Sequence, residues 1–278
     1  MWAGADLMER SPARPPLREV IARHGLDARK ALGQHFLLDP SITARIARLA
    51  GPIEGRHVAE IGPGPGGLTR ALLDAGAASV TAIELDPRAV SVIRELAETE
   101  PRLTVIEADA LRVDLPAIVP APRRIVANLP YNVATPLLVR WLREAAAWEA
   151  MALMFQLEVA ERIVAAPRDD AYGRLAVLAQ WTCAAHILMR LPPEAFVPPP
   201  KISSAVVGLT PHADQPPAAL FAAMERLTAA AFGQRRKMLR SALKGLGGEA
   251  LLGRAGIAGD RRAETLTVAE FDALARLI

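Results

Sequence analysis

Cysteine, tyrosine and histidine are all scarce in this chain: one, two and five in 278 residues, with aromatics at only 4%. A single thiol excludes an internal disulfide framework, and Cys183 among apolar neighbours reads as a small core residue in a reducing compartment. The histidines show no metal-ligand spacing, so no metal cofactor is expected. No apolar run is long enough to span a bilayer. Residues 1–16 carry Asp6, Glu9 and several prolines without an apolar segment, which reads as a loose tail and not a signal peptide. A cytoplasmic protein without membrane contact is expected. The excess of positive charge is also small, a net +3, so its distribution matters more than its sum. Apolar residues are plentiful by contrast: 51% hydrophobic and 23% charged place the chain among globular proteins.

Along the chain the first element is a short amphipathic helix on Leu17, Val20 and Ile21, stopped at Gly25. Leu32 to Leu38 has neither period nor turn chemistry and reads as a packed connector ahead of a helix capped by Asp39 with Pro40 in its first turn. From residue 57 strands alternate with helices: strands at 57–61, 80–85, 103–107, 124–127 and 150–155, then two at 183–189 and 202–209 with no clear helix between them. Helix-length connections imply a doubly wound parallel sheet, and the last pair suggests an antiparallel strand at one edge. After Pro211 the strand pattern ends. Residues 17–211 form an α/β domain and 212–278 a small all-helical one, in which Gln234-Arg235-Arg236-Lys237 and Arg240 read as a basic second helix with no carboxylate.

Four strand ends carry the candidate chemistry. Glu60-Ile61-Gly62-Pro63-Gly64-Pro65-Gly66-Gly67 follows the first strand, where glycines let a backbone approach a ligand at a helix start. Gly62, Gly64 and Gly67 satisfy Gly-x-Gly-x-x-Gly, and Glu84 stands where a ribose partner belongs, so NAD and S-adenosylmethionine are both admissible. Pro63 and Pro65 remove N–H donors that a pyrophosphate would use, and Glu60 would repel it, which tilts the choice toward S-adenosylmethionine. Glu84 can accept from both ribose hydroxyls and Asp109 from an adenine amine, whereas Asp86 before Pro87 is explained as a helix cap. Asn128-Leu129-Pro130-Tyr131 ends the fourth strand. An adenine amine is a poor nucleophile because its lone pair is delocalised into the ring. The Asn128 side-chain oxygen and the Pro130 carbonyl could each accept one N–H and free that pair, with Tyr131 stacked on the base. Transfer then depends on positioning, and no general base is needed.

Taken together, Gly33-Gln34-His35-Phe36-Leu37, Glu60 to Gly64, Glu84-Leu85-Asp86, Asp109-Ala110-Leu111, Asn128 to Asn132 and Phe196-Val197-Pro198-Pro199-Pro200-Lys201 resemble the bacterial small-subunit ribosomal RNA adenine dimethyltransferases. The resemblance runs from about residue 17 to the C-terminus. It implies a Rossmann-like methyltransferase with a seven-stranded, mostly parallel sheet and a helical C-terminal RNA-binding domain. The implied reaction methylates N6 of two adjacent adenosines near the 3′ end of 16S rRNA, in a monomer acting on the small ribosomal subunit during its biogenesis. Cofactor contacts carry over to Gln34, His35, Leu37, Gly62, Glu84, Asp109 and Asn128, with Gly64, Leu85 and Ala110 beside them. Target-base contacts carry over to Asn128, Pro130, Tyr131 and Phe196, the last on the face of the adenine opposite Tyr131. RNA phosphates would meet Lys201, Arg235, Arg236, Lys237 and Arg240. Two positions depart from the family, His35 where asparagine is usual and Ser203 where aspartate is usual. A large-subunit adenine methyltransferase of the resistance type shares the cofactor motifs, an NAD-dependent oxidoreductase shares the glycine loop, and an RNA-binding assembly factor would need no turnover. The Phe-Val-Pro-Pro-Pro-Lys segment and the basic C-terminal part favour the small-subunit reading.

Overall fold

The computed structural model describes residues 14–26 and 34–278. Most of the expected loose tail and the Leu32-Gly33 start of the first motif lie outside the described residues. Residues 14–16 are not loose. Arg14 pairs with Asp74 at 2.8 Å and Glu100 at 3.0 Å, and the Pro15 carbonyl accepts from Arg70 at 2.5 Å.

In chain order the elements are α1 (Leu17–Arg23), β1 (Phe36–Leu37), α2 (Pro40–Leu49), β2 (His57–Ile61), α3 (Gly67–Asp74), β3 (Ser79–Glu84), α4 (Pro87–Thr99) and β4 (Leu103–Glu107). Then follow α5 (Leu115–Ile118), β5 (Arg123–Asn128), α6 (Ala134–Arg143), β6 (Ala150–Gln156), α7 (Leu157–Val164), α8 (Arg174–Thr182), β7 (Cys183–Leu191), β8 (Phe196–Val197) and β9 (Ser204–Pro211). The C-terminal helices are α9 (Ala218–Gly233), α10 (Leu239–Ala242), α11 (Gly248–Arg254) and α12 (Val268–Ala275). Asp39 and Asp86 cap α2 and α4 by accepting from Ser41 and Arg88 N–H groups, each with proline in the first turn, as their spacing predicts.

Seven strands form one sheet in the order β4-β3-β2-β5-β6-β9-β7. Its interior strands are apolar on both faces because helices cover both. In β5, Ile125 and Ala127 face the layer of α6 and α8, while Val126 faces that of α2 and α3. Only β9 runs against its neighbours, pairing antiparallel with β6 and with β7. The antiparallel strand is therefore not at the edge, as the sequence order suggests, but inserted one position inside it. Burial explains the inversion: Ser204 to Val207 and Leu209 are buried, whereas β7 carries half-exposed residues and Arg190, which an edge tolerates. The expected basic helix after α9 is also corrected, because Gln234 to Lys237 form a turn and bend and α10 begins only at Leu239. Cys183 is buried and unbonded, its thiol pushed up to about 11 by burial, which fits its reading as a core residue.

The C-terminal helices share one apolar core with the sheet layer: Phe221, Leu227 and Phe271 cluster with Trp181 and Tyr172. Trp181 Nε1 donates to Asp272 and Tyr172 OH to the Leu266 carbonyl, each at 2.9 Å, so the two parts are joined by satisfied polar groups as well.

Candidate active site

Strand order lays four chain segments in a row at one edge of the sheet: Asp109 after β4, Glu84 ending β3, the glycine turn after β2, and Asn128 ending β5. Between β2 and β5 the order of strands reverses, and in doubly wound sheets ligands bind at such a crevice. A cavity of about 330 Å³ opens there. Every residue expected to touch the cofactor lines it, from Gln34, His35 and Leu37 through Gly62, Gly64, Glu84, Leu85, Asp109 and Ala110 to Asn128. Pro130 and Tyr131 line it as well.

The glycine turn is shaped by backbone conformation. Gly64 has φ +55°, and a Cβ there would stand 3.0 Å from Phe36 Cε1, so a side chain at this position would be strained and press on β1. The Gly64 N–H donates to Glu84 at 3.2 Å, and the Leu85 and Asp86 N–H groups donate to the same carboxylate at 2.8 and 2.9 Å. Burial raises the Glu84 pKa while those three donors oppose it. Deeper still is Glu60, 1% exposed, whose Oε2 has no hydrogen-bond partner. Burial pushes its carboxyl up to about 8, with Glu84 adding to the rise and the nearby Thr69 partly offsetting it. The pattern of the sequence assigned Glu60 only a repulsive part, and the signal that could have found it is an acid on the central strand one residue before the turn. Two prolines that lack N–H groups suit a ligand without phosphate. Asp109 both caps its own turn, Oδ1 accepting from Leu111 N–H at 2.9 Å, and faces the cavity.

At the end of β5 the Asn128 amide is oriented by its neighbour, Nδ2 donating to the His35 carbonyl at 3.1 Å. Oδ1 is thereby left as the acceptor. The Pro130 carbonyl takes the Val133 N–H at 3.1 Å as α6 begins, with a second lone pair remaining. The Tyr131 hydroxyl shares a 2.7 Å bond with Ser204, and burial raises its pKa, so the phenol stays neutral. The structure does not bring Phe196 to this cavity. It is 1% exposed, held in the core where Phe196 pairs with Leu37 across β1 and β8. The ring beside Tyr131 belongs instead to His35, stacked at 5.6 Å between centroids and 29° between planes.

The basic residues expected to meet RNA, Lys201, Arg235, Arg236, Lys237 and Arg240, are all exposed. Among the described residues, Arg235 alone of them also meets protein groups with its side chain, donating to the Asp170 carbonyl at 2.6 Å and lying 3.7 Å from Glu264. Among the described residues no group of three metal-ligating side chains occurs.

The sequence matches the ribosomal RNA adenine dimethylase family over residues 25–278. The chain belongs to that family. This dimethylase is 63% identical over 264 residues to Ribosomal RNA small subunit methyltransferase A of Gluconobacter oxydans (strain 621H), covering 95% of this chain and 87% of that one. It is 58% identical to the protein of the same name from Paramagnetospirillum magneticum (strain ATCC 700264 / AMB-1), over 95% of each. Among solved structures, a dimethyladenosine transferase from Plasmodium falciparum superposes with a TM-score of 0.72 at 26% identity, covering 86% of this chain and 96% of that one. The 23S rRNA methyltransferase ErmE gives 0.64 at 29%, covering 87% and 98%. The dimethylase is thus a methyltransferase of the Rossmann-like class, and the cavity at the ends of β2 to β5 is its candidate catalytic centre.

Proposed function

We propose that the chain transfers methyl groups from S-adenosylmethionine to N6 of two adjacent adenosines near the 3′ end of 16S rRNA, producing N6,N6-dimethyladenosine in the small ribosomal subunit. The observation that carries this reading is the Asn128 amide, fixed through Nδ2 so that Oδ1 is free to accept an amine hydrogen in a cavity that also holds Tyr131. Glu84, Asp109, Gln34, Leu37 and the backbone of His35 and the glycine turn would hold the cofactor, with Ala110 and the exposed Leu85 flanking it. When bound, S-adenosylmethionine supplies a methyl group on a cationic sulfur. Asn128 Oδ1 and the Pro130 carbonyl each accept one N–H of the adenine amine, which withdraws its lone pair from the ring. Tyr131 stacks on the base, and the proton released goes to solvent. Orientation carries most of the rate.

Residues 17–211 serve catalysis and 212–278 RNA binding, with Lys201, Arg236, Lys237 and Arg240 contacting phosphates. The chain works as a cytoplasmic monomer in small-subunit biogenesis. No helix among the described residues is long and apolar enough to cross a membrane. Identity to small-subunit relatives, 63% and 58%, against 29% to ErmE supports the small-subunit substrate over the large-subunit one. The test is methyl transfer from labelled S-adenosylmethionine to unmethylated small subunits, followed by nucleoside analysis. Labelled N6,N6-dimethyladenosine is expected, and its absence with the wild-type chain overturns the proposal.

A further inference from the structure

His35 touches three parts of the site through three different groups. Its ring lies against Tyr131. Its own carbonyl accepts from Asn128 Nδ2 at 3.1 Å. Its Nδ1 is 2.8 Å from the Pro198 carbonyl, and since a carbonyl can only accept, Nδ1 carries the hydrogen. No other residue connects the segment after β8 to the end of β5 in this way among the described hydrogen bonds.

The ring is not the second wall of a slot for the base. Stacked carbon atoms sit about 3.5–4.0 Å apart, so a base between two rings needs roughly 7 Å between them. The His35 and Tyr131 centroids are 5.6 Å apart. The ring therefore backs Tyr131, and what remains distinctive is the bond to Pro198. The ladder next to it is short, Phe36 with Val197 and Leu37 with Phe196, so the bond adds a third tie to a pairing only two residues long. Beside it Val197 is 46% exposed and Lys201 is exposed.

We infer that His35 is a positioning residue for methyl transfer: its Nδ1–H bond to Pro198 fixes the backbone carbonyl that orients the Asn128 amide, coupling the 196–201 loop to the reacting amine. This rests on the adenine-methylating reading above. The same backbone is among the groups that would hold the cofactor, so the rate is read at saturating cofactor.

The test compares His35→Asn, His35→Gln and His35→Ala. An asparagine amide nitrogen falls near the place of Nδ1, and a glutamine nitrogen near that of Nε2. Single-turnover transfer to small subunits should fall about tenfold or more in His35→Ala and His35→Gln, since small misplacements at a reacting centre cost up to about 100-fold. His35→Asn should recover most of that loss, with every variant measured at saturating cofactor. In cofactor-free protein, the nitrogen NMR signal of the Asn128 side chain should move in the alanine and glutamine variants and return in His35→Asn. Glutamine as active as wild type, or asparagine as slow as alanine, would each overturn the inference. A wild-type chain that transfers no methyl would count against the functional reading instead, and the Asn128 signal would still decide the positioning.

Discussion

Asn128 uses its two side-chain atoms for different purposes, one to hold itself in place and one to accept. Nδ2 is satisfied by the His35 carbonyl, so Oδ1 is left as the free acceptor in a residue that lines the cavity. Asn128→Ala removes the acceptor without changing net charge. Single-turnover transfer should fall on the order of 10²–10³-fold, as for other preorganised hydrogen-bonding groups, with RNA affinity largely kept. RNA affinity lost in parallel with rate would return Asn128 to a structural part. Glu60 makes a prediction of another kind. Its carboxyl has an ordinary value of 4.5 and a folded value of about 8, so between those limits the folded chain keeps a proton that the unfolded chain has released. Stability therefore falls as pH rises through that window, by at most about 1.4 kcal/mol per unit, and the slope ends above the folded value. Glu60→Gln should lose this slope, so that by calorimetry without cofactor the variant melts progressively higher than wild type as pH goes from 5 to 8. Parallel curves would show that the carboxyl is ionised in the folded chain.

Elements with a clear period were legible before any coordinates: the caps Asp39 and Asp86, the glycine turn and the four strand ends follow from spacing and composition alone. What was not legible lacks a period. Two residues on each side are too few to announce a ladder, so the pairing of β1 with β8 is invisible in the sequence, and with it the sealing of Phe196. Alanine-rich flanks likewise make the stretch after α9 look helical, although Gln234 to Lys237 turn. The contact between β1 and the glycine turn is testable as a unit. Gly64→Ala forces a left-handed residue against Phe36, at a cost of about 1–2 kcal/mol, so cofactor affinity should drop about tenfold. Gly245→Ala, with nothing within 4 Å of the added carbon, is the control. Equal affinity in the two variants would detach the turn from cofactor binding.

For the whole molecule, charge has to be read after the fold. Five basic residues looked equivalent as a string, yet Arg235 is spent on Asp170 and Glu264, tying the C-terminal helices to the loop between α7 and α8. Arg236 and Lys237 on the same turn are exposed and form no ion pair among the described residues, so they alone of the three remain for phosphate. The order of strands hides in the same way: β7 and β9 look like a plain edge hairpin until burial puts β9 inside. The consequence for binding is a separation of effects within three consecutive residues. Replacing Arg236 and Lys237 together by glutamine should make the slope of log affinity against log salt shallower by about two for a 16S rRNA fragment, with the melting temperature unchanged. Arg235→Gln should instead lower the melting temperature and leave most of the salt slope, because a residue already paired to protein releases few counterions. Equal slope changes across the three positions would mean that RNA takes Arg235 from its protein partners, and an unchanged slope in the double variant would remove this turn from the RNA surface.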